Sequence, residues 1–107
     1  MSDWASTWIE KLKGGSVVQF RPHGNSMSLK IKSGELCTVQ PIDDGDEIRE
    51  GDIVLCKVKG RSFLHLVSAV KNVTKDDGLY QISNTRGHIN GWVTRRAIYG
   101  RLSKVEP

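Results

Sequence analysis

The sequence has no apolar run that approaches the ~20 residues needed to cross a bilayer. It also lacks the order of basic residues followed by apolar residues that opens a secretory signal, because Asp3 and Glu10 stand in that region. These absences argue against a membrane partner. We expect a cytoplasmic location.

Cysteine is scarce as well, with only Cys37 and Cys56. The two are not in Cys-x-x-Cys spacing, have no ligand residues close by, and lie inside apolar, strand-like runs. This pattern argues against a zinc site. We predict two reduced, mostly buried thiols, no metal and no other cofactor.

Acidic residues are fewer than basic ones, 12 against 16, which gives a net charge of +4. A positive field permits an encounter with nucleic acid, headgroups or an acidic protein without specifying any of them. The cations are scattered, apart from Arg95-Arg96 and Arg101 with Lys104. No recognition helix or interleaved stacking motif is evident, so nucleic acid is not an expected partner.

A chain of 107 residues has room for one hydrophobic core, so we expect a single domain over residues 1–107. Four apolar residues near the start have helical spacing: Trp4, Trp8, Ile9 and Leu12. Ser2 or Asp3 can cap the start of this segment, and Gly14-Gly15 can end it. The pattern predicts one short amphipathic helix within residues 1–15.

After residue 15 the chain changes to short apolar runs, rich in β-branched residues and separated by turns. The predicted strands are 16–20, 36–40, 53–58, 62–70, 79–83 and 98–102. Lys59-Gly60-Arg61 can close a hairpin, Asp76-Asp77-Gly78 is a turn, and the acidic stretch 43–50 is an expected exposed loop. Trp92 is expected to pack inside. The fold class is mostly β, a small barrel or sandwich with one short N-terminal helix.

Ser26 lies in the segment Gly24-Asn25-Ser26-Met27, just after Pro22. A tight turn of this kind can expose a serine hydroxyl and let backbone N–H groups face a developing oxyanion. Serine in a Gly/Asn loop is also ordinary turn chemistry. The segment alone therefore does not establish a nucleophile.

Several other segments accompany this one in a fixed order along the chain. They are Gly34-Glu35-Leu36, Gly51-Asp52-Ile53-Val54, Phe63-Leu64-His65-Leu66-Val67, Ile82-Ser83-Asn84 and Tyr99-Gly100-Arg101. Taken with the serine segment, the series resembles the peptidase domain shared by LexA-type repressors and signal peptidases. The resemblance covers residues 18–102. It implies a LexA-like and signal-peptidase-like β fold, with Ser26 as the nucleophile and Gly24, Asn25 and Met27 in the nucleophile and oxyanion loop.

His65 occupies the position where LexA-type repressors and most bacterial signal peptidases have a lysine base. Signal peptidases of the endoplasmic reticulum type are similar in having histidine there, so the resemblance implies a Ser26/His65 dyad. A histidine is competent as a base because its ordinary pKa of ~6.5 leaves it mostly neutral in the cytosol. The alternative is a histidine at the edge of the core, satisfied by one hydrogen bond.

The third group, which would orient the imidazole, has no carboxylate in the expected place. The segment after residue 83 holds Asn84 and Asn90, and Asp52 is the nearest motif carboxylate. We take Asn84 and Asp52 as the orienting candidates. An asparagine can hold an imidazole in place but cannot stabilise the imidazolium as a carboxylate does.

Two functions remain open at this point. The first is a serine endopeptidase that uses Ser26 and His65 on an extended peptide or protein substrate. The second is a catalytically weak or inactive LexA-like binding or dimerisation module, phage-derived and regulatory, which would form a homodimer. The Ala-Gly or Cys-Gly dipeptide at which LexA-type repressors cut themselves does not occur before Ser26, so self-cleavage is not expected.

Overall fold

The computed structural model describes residues 3–74 and 77–107. In these residues a single helix, α1 (Ser6–Lys13), precedes seven strands, and a 3-10 turn at Arg95–Ala97 leads into the last of them. The strands are β1 (Val18–Phe20), β2 (Leu36–Pro41), β3 (Ile53–Val58), β4 (Arg61–Lys71), β5 (Leu79–Ser83), β6 (Ile89–Thr94) and β7 (Ile98–Glu106). The predicted fold class, mostly β with one short N-terminal helix, is confirmed.

The strands form one antiparallel sheet in the order β1-β2-β7-β3-β4-β5-β6. The expected hairpin between β3 and β4 is present, and both loop residues have positive φ, 51° at Lys59 and 82° at Gly60. A two-residue hairpin turn of the I′ type requires this conformation, which glycine adopts without strain.

The sheet curls back on itself, although its end strands β1 and β6 do not pair with each other. Register shifts interrupt four of the strand pairings, and irregularities of this kind increase the local twist. A Cβ added at Gly91 on β6 would lie 3.0 Å from Val58 Cγ1 on β3, so these strands approach each other across the interior. Of the two expected architectures, barrel and sandwich, the structure is nearer to a barrel, because the described strands form one curled sheet that does not close.

Two hydrophobic clusters make up the core, one on each face of β3. The first includes Leu55 and the buried face of α1, and the second includes Val54 and Tyr80. Cys37 lies in the first cluster and Cys56 in the second, and both thiols are free and buried as predicted. Burial raises the pKa of Cys37, and it raises the pKa of Cys56 to about 12.

Several expectations about local structure need correction or qualification. No strand was expected at β6. Trp92 on that strand is 44 % exposed, so the expectation that Trp92 packs inside is wrong. The stretch 43–50 is a loop, but Ile48 within it is buried in the second cluster. Asp3 is not the N-cap residue as expected: that residue is Ala5, with no side-chain cap, and Asp3 Oδ1 accepts a hydrogen bond from the Ala5 N–H at 3.0 Å in the turn before α1.

Two further expectations fall partly on residues outside those described, namely the Ser2 cap and the Asp76 position of the turn before β5.

Within residues 3–74 and 77–107, no helix combines the length and apolar character needed to cross a bilayer.

Candidate active site

Ser26 lies on a loop between β1 and β2 that the backbone holds tightly. Gly24, with φ of 123°, provides a conformation that other residues rarely adopt, and its N–H donates to Ser33 Oγ at 3.1 Å. The Gly34 N–H donates to the Pro22 carbonyl at 2.8 Å, which ties the two ends of the loop together. Met27 is buried in the core directly after Ser26, while Ser26 itself is exposed. The loop therefore anchors one residue and presents the next to solvent.

The connection between β5 and β6 holds the serine loop from the other side. The Ser26 carbonyl accepts hydrogen bonds from the Thr85 N–H at 3.1 Å and from Thr85 Oγ1 at 3.3 Å. The Leu29 N–H donates to the same Thr85 hydroxyl oxygen at 3.4 Å. Thr85 was not among the residues singled out in the sequence, where it is one polar residue of a turn. Its position shows that the β5–β6 connection positions the serine loop.

His65 projects from β4 toward Ser26. Its Nε2 lies 3.2 Å from Ser26 Oγ, and its Nδ1 lies 2.7 Å from Asn90 Oδ1. A carbonyl oxygen only accepts hydrogen bonds, so Nδ1 carries the proton and Nε2 is the acceptor for the serine hydroxyl. The three side chains form a continuous hydrogen-bonded chain, and the imidazole has the tautomer that a general base requires.

The surroundings of His65 keep it neutral. Its side chain is 6 % exposed, and burial lowers the pKa of the imidazole below its ordinary value. The hydrogen bond that Nδ1 donates to Asn90 Oδ1 opposes this change, and electrostatic repulsion from the nearby His88 adds to it, so the net effect is a lowered pKa of the His65 imidazole. At neutral pH the imidazole is therefore free to accept a proton.

Neither of the two expected orienting residues, Asn84 and Asp52, bonds the imidazole of His65. Asn84 Oδ1 accepts the backbone N–H groups of Arg86 and His88 and so holds the turn before β6. Asp52 Oδ2 accepts the Arg49 N–H at 2.8 Å and forms an ion pair with Arg101 at 3.2 Å. Asn90 bonds the imidazole instead.

In the expected oxyanion loop, the Gly24 N–H donates to Ser33 Oγ of the same loop, and the Asn25 carbonyl accepts a hydrogen bond from the Ser28 N–H at 3.2 Å. Met27 anchors the loop through its buried side chain. Among the hydrogen bonds of the described residues, none uses the Ser26 N–H. The N–H groups of Asn25 and Met27 also donate to none of these hydrogen bonds, so the Ser26 N–H is one of three neighbouring donors available to an oxyanion at the serine.

Ser26 and His65 open onto a groove of about 810 Å³. The groove runs between the β1 end of the molecule and the first half of β4, and its walls include Trp8, Phe20 and Phe63. The Phe63 ring lies 4.8 Å from the imidazole of His65. Residues 3–74 and 77–107 contain no group of three or more His, Cys, Asp or Glu side chains arranged to hold a metal ion.

No protein-family model matches the chain, and no curated protein matches it either. The resemblance to LexA-type repressors and signal peptidases therefore rests on the sequence segments quoted above and stays a prediction. The hydrogen-bonded chain from Ser26 to Asn90 is an observation that stands apart from that resemblance.

Proposed function

We propose that this protein is a serine endopeptidase, with Ser26 as nucleophile, His65 as general base and then acid, and Asn90 as the residue that orients the imidazole. The observation that carries the proposal is the pair of hydrogen bonds on His65, 3.2 Å from Nε2 to Ser26 Oγ and 2.7 Å from Nδ1 to Asn90 Oδ1. A nucleophile, a base and a third group that fixes the base form the arrangement that activates a serine.

In the proposed reaction, Ser26 Oγ attacks the carbonyl carbon of a peptide bond while Nε2 of His65 takes the hydroxyl proton. The oxyanion of the tetrahedral intermediate accepts a hydrogen bond from the Ser26 N–H. The intermediate collapses, the C–N bond breaks, and the imidazolium returns the proton to the leaving amine. A water molecule, deprotonated by Nε2, then hydrolyses the acyl-enzyme, and the proton passes back to Ser26.

An extended peptide suits the site because of the position of β1. This strand lies at one end of the sheet, pairs with β2 alone among the described strands, and leads directly into the serine loop. A peptide in extended conformation can add to such an edge through main-chain hydrogen bonds. Its backbone would then pass Ser26.

The second candidate function is a catalytically weak or inactive module of the LexA type that binds a peptide or dimerises. The observation that favours it is the identity of Asn90, an uncharged group where a carboxylate would stabilise the imidazolium. In either case we propose a cytoplasmic protein, and the second candidate would be a phage-derived regulator.

A serine-directed phosphonate probe, followed by intact mass, distinguishes the two functions. We expect one label on the wild type and none on Ser26→Ala or His65→Ala. Ser28→Ala removes another hydroxyl from the same loop and is expected to label like the wild type. Each variant is first checked by circular dichroism and thermal unfolding. A folded wild type that takes no label between pH 6 and 9 would count against the peptidase and leave the binding module as the better account.

A further inference from the structure

We propose that the groove beside Ser26 selects extended peptides with an acidic side chain about four residues from the bond that is cut and an apolar side chain between the two. The position of the cut bond rests on the proposed peptidase function, whereas the selection of the peptide concerns binding alone. The inference depends on the charge, the spacing and the aromatic wall of the groove.

Positive charge predominates in the groove, with one carboxylate beside it, that of Asp3, which accepts a hydrogen bond from the lining residue Ser62. Arg21, Lys32 and Arg61 line it, and no Asp or Glu stands among its described lining residues. The ion pairs found in residues 3–74 and 77–107 involve other cations, namely Lys13, Arg49, Arg101 and Lys104. A cleft lined by charges of one sign focuses the field and raises the local concentration of ligands of opposite charge. An acidic ligand is therefore favoured.

The spacing of the groove follows from β4. Arg61, Phe63 and His65 are alternate residues of that strand, so their side chains project to the same face. At a rise of ~3.3 Å per residue, the Cα atom of Arg61 lies about 13 Å along the strand from that of His65, the length of four residues of an extended peptide. The Arg61 guanidinium lies 5.7 Å from the centre of the Phe63 ring, and that ring centre lies 4.8 Å from the centre of the His65 imidazole. The cation therefore leans back over Phe63, within about 11 Å of the imidazole, where the side chain of an extended peptide's fourth residue from the cut bond can reach it. An acidic side chain four residues from the cut bond would meet Arg61.

The aromatic wall distinguishes a peptide from single-stranded nucleic acid. Trp8 is stacked on Phe20 with ring centres 5.5 Å apart and an interplanar angle of 16°, and Lys11 Nζ lies 5.4 Å from the Trp8 ring centre. The Trp8 ring thus stacks on another side chain of the protein, whereas grooves that bind single-stranded nucleic acid leave aromatic faces free to stack on successive bases. The wall offers an apolar surface instead. Trp4, 50 % exposed and tilted against Phe20, completes it.

Binding to the Ser26→Ala protein tests the inference with intact peptides. The probes are fluorescein-labelled octapeptides. In one set, Phe is the second residue and either Glu or Lys the fourth residue on the N-terminal side of the central bond. In the other set, the same residues stand at the same positions on the C-terminal side. By anisotropy at low salt we expect one Glu peptide to bind about tenfold more tightly than its Lys counterpart. The difference should shrink as salt screens the charges. A second substitution, Arg61→Glu, should reverse the preference, whereas Lys104→Glu, the same change of charge outside the groove, should leave it unchanged.

Equal binding of the Glu and Lys peptides would overturn the inference. So would an equal effect of Arg61→Glu and Lys104→Glu, or displacement of the peptides by a single-stranded oligonucleotide at a lower concentration than by the unlabelled peptide. Incubation of the same peptides with the wild type separates this inference from the peptidase proposal. Preferential binding without cleavage supports the inference and counts against the peptidase. Cleavage without preference supports the peptidase and overturns the inference.

Discussion

Replacing Asn90 by aspartate converts the orienting group of the proposed triad into a carboxylate of the same shape. Asn90 Oδ1 is 2.7 Å from His65 Nδ1, so the substitution places a negative charge next to the imidazole without a change in volume. Two unit charges 4 Å apart attract by about 4 kcal/mol at an effective dielectric constant of ~20, which corresponds to about three pKa units. Asn90 is half-buried, and solvent reduces this value, so we expect the pKa of His65 to rise by roughly one to three units.

The same charge should stabilise the imidazolium that forms as Ser26 loses its proton. Labelling of Asn90→Asp by the phosphonate probe is therefore expected to be roughly ten- to a hundredfold faster than that of the wild type once His65 is neutral. The pH at which labelling reaches half its maximum should rise with the pKa of His65. Proton NMR of the His65 Cε1–H across pH measures that pKa directly.

Asn84→Asp is the matched control, because Asn84 accepts two backbone N–H groups in the turn and does not bond the imidazole. It introduces the same charge on the same segment. We expect a much smaller change in the pKa of His65 than in Asn90→Asp. An unchanged His65 pKa in Asn90→Asp, or equal shifts in the two variants, would refute the assignment of Asn90 as the orienting residue.

Three further predictions concern stability and thiol chemistry. Burial lowers the pKa of His65 in the folded protein, so the unfolded chain binds more protons than the folded one as pH falls. The contribution of His65 to stability is therefore complete above 6.5, the ordinary pKa of histidine. It is lost as pH falls through the lower pKa of the folded state. Urea unfolding at pH 7.5 and 5 should show this loss, smaller in His65→Gln; an equal loss in both would contradict it. Gly100→Ala should lower the free energy of unfolding by about 1–3 kcal/mol, because the added Cβ would lie 2.7 Å from Val39 Cγ1. Gly45→Ala meets nothing within 4 Å and serves as its control, and equal stabilities would refute the packing argument. Cys56, with a pKa of about 12, and the buried Cys37 should not react with a disulfide reagent at pH 8 until the protein unfolds, and fast reaction of the native protein would show that these thiols are accessible.

The strands with clear apolar alternation were predictable, and β3 and β5 have the bounds expected from the sequence. β6 was not, because Asn90 and Gly91 are residues that usually mark turns, and the strand has one buried residue, Val93. The omission of β6 explains why Asn90 was passed over as an orienting candidate. The Asn90 side chain reaches His65 only when β6 pairs with β5, and local sequence patterns do not encode this pairing.

The serine and the histidine could be selected from sequence because each lies in a recognisable segment, but their distance could not. Ser26 and His65, which are 39 positions apart in the sequence, are brought together by the curl of the sheet and by the Thr85 hydrogen bonds to the serine loop. The groove is likewise a product of packing. The helix residue Trp8 meets Phe20 of β1 only after the chain has folded.

The central claim is that neutral His65 activates Ser26, and one combined measurement tests it most directly. In a single series of buffers from pH 5 to 9, the rate of phosphonate labelling at Ser26 is followed by intact mass and the protonation of His65 by NMR. We predict that labelling rises with a midpoint below 6.5 that coincides with the measured pKa of His65, and that His65→Ala abolishes it. Labelling that does not follow the titration of His65, or that persists in His65→Ala, would contradict the claim.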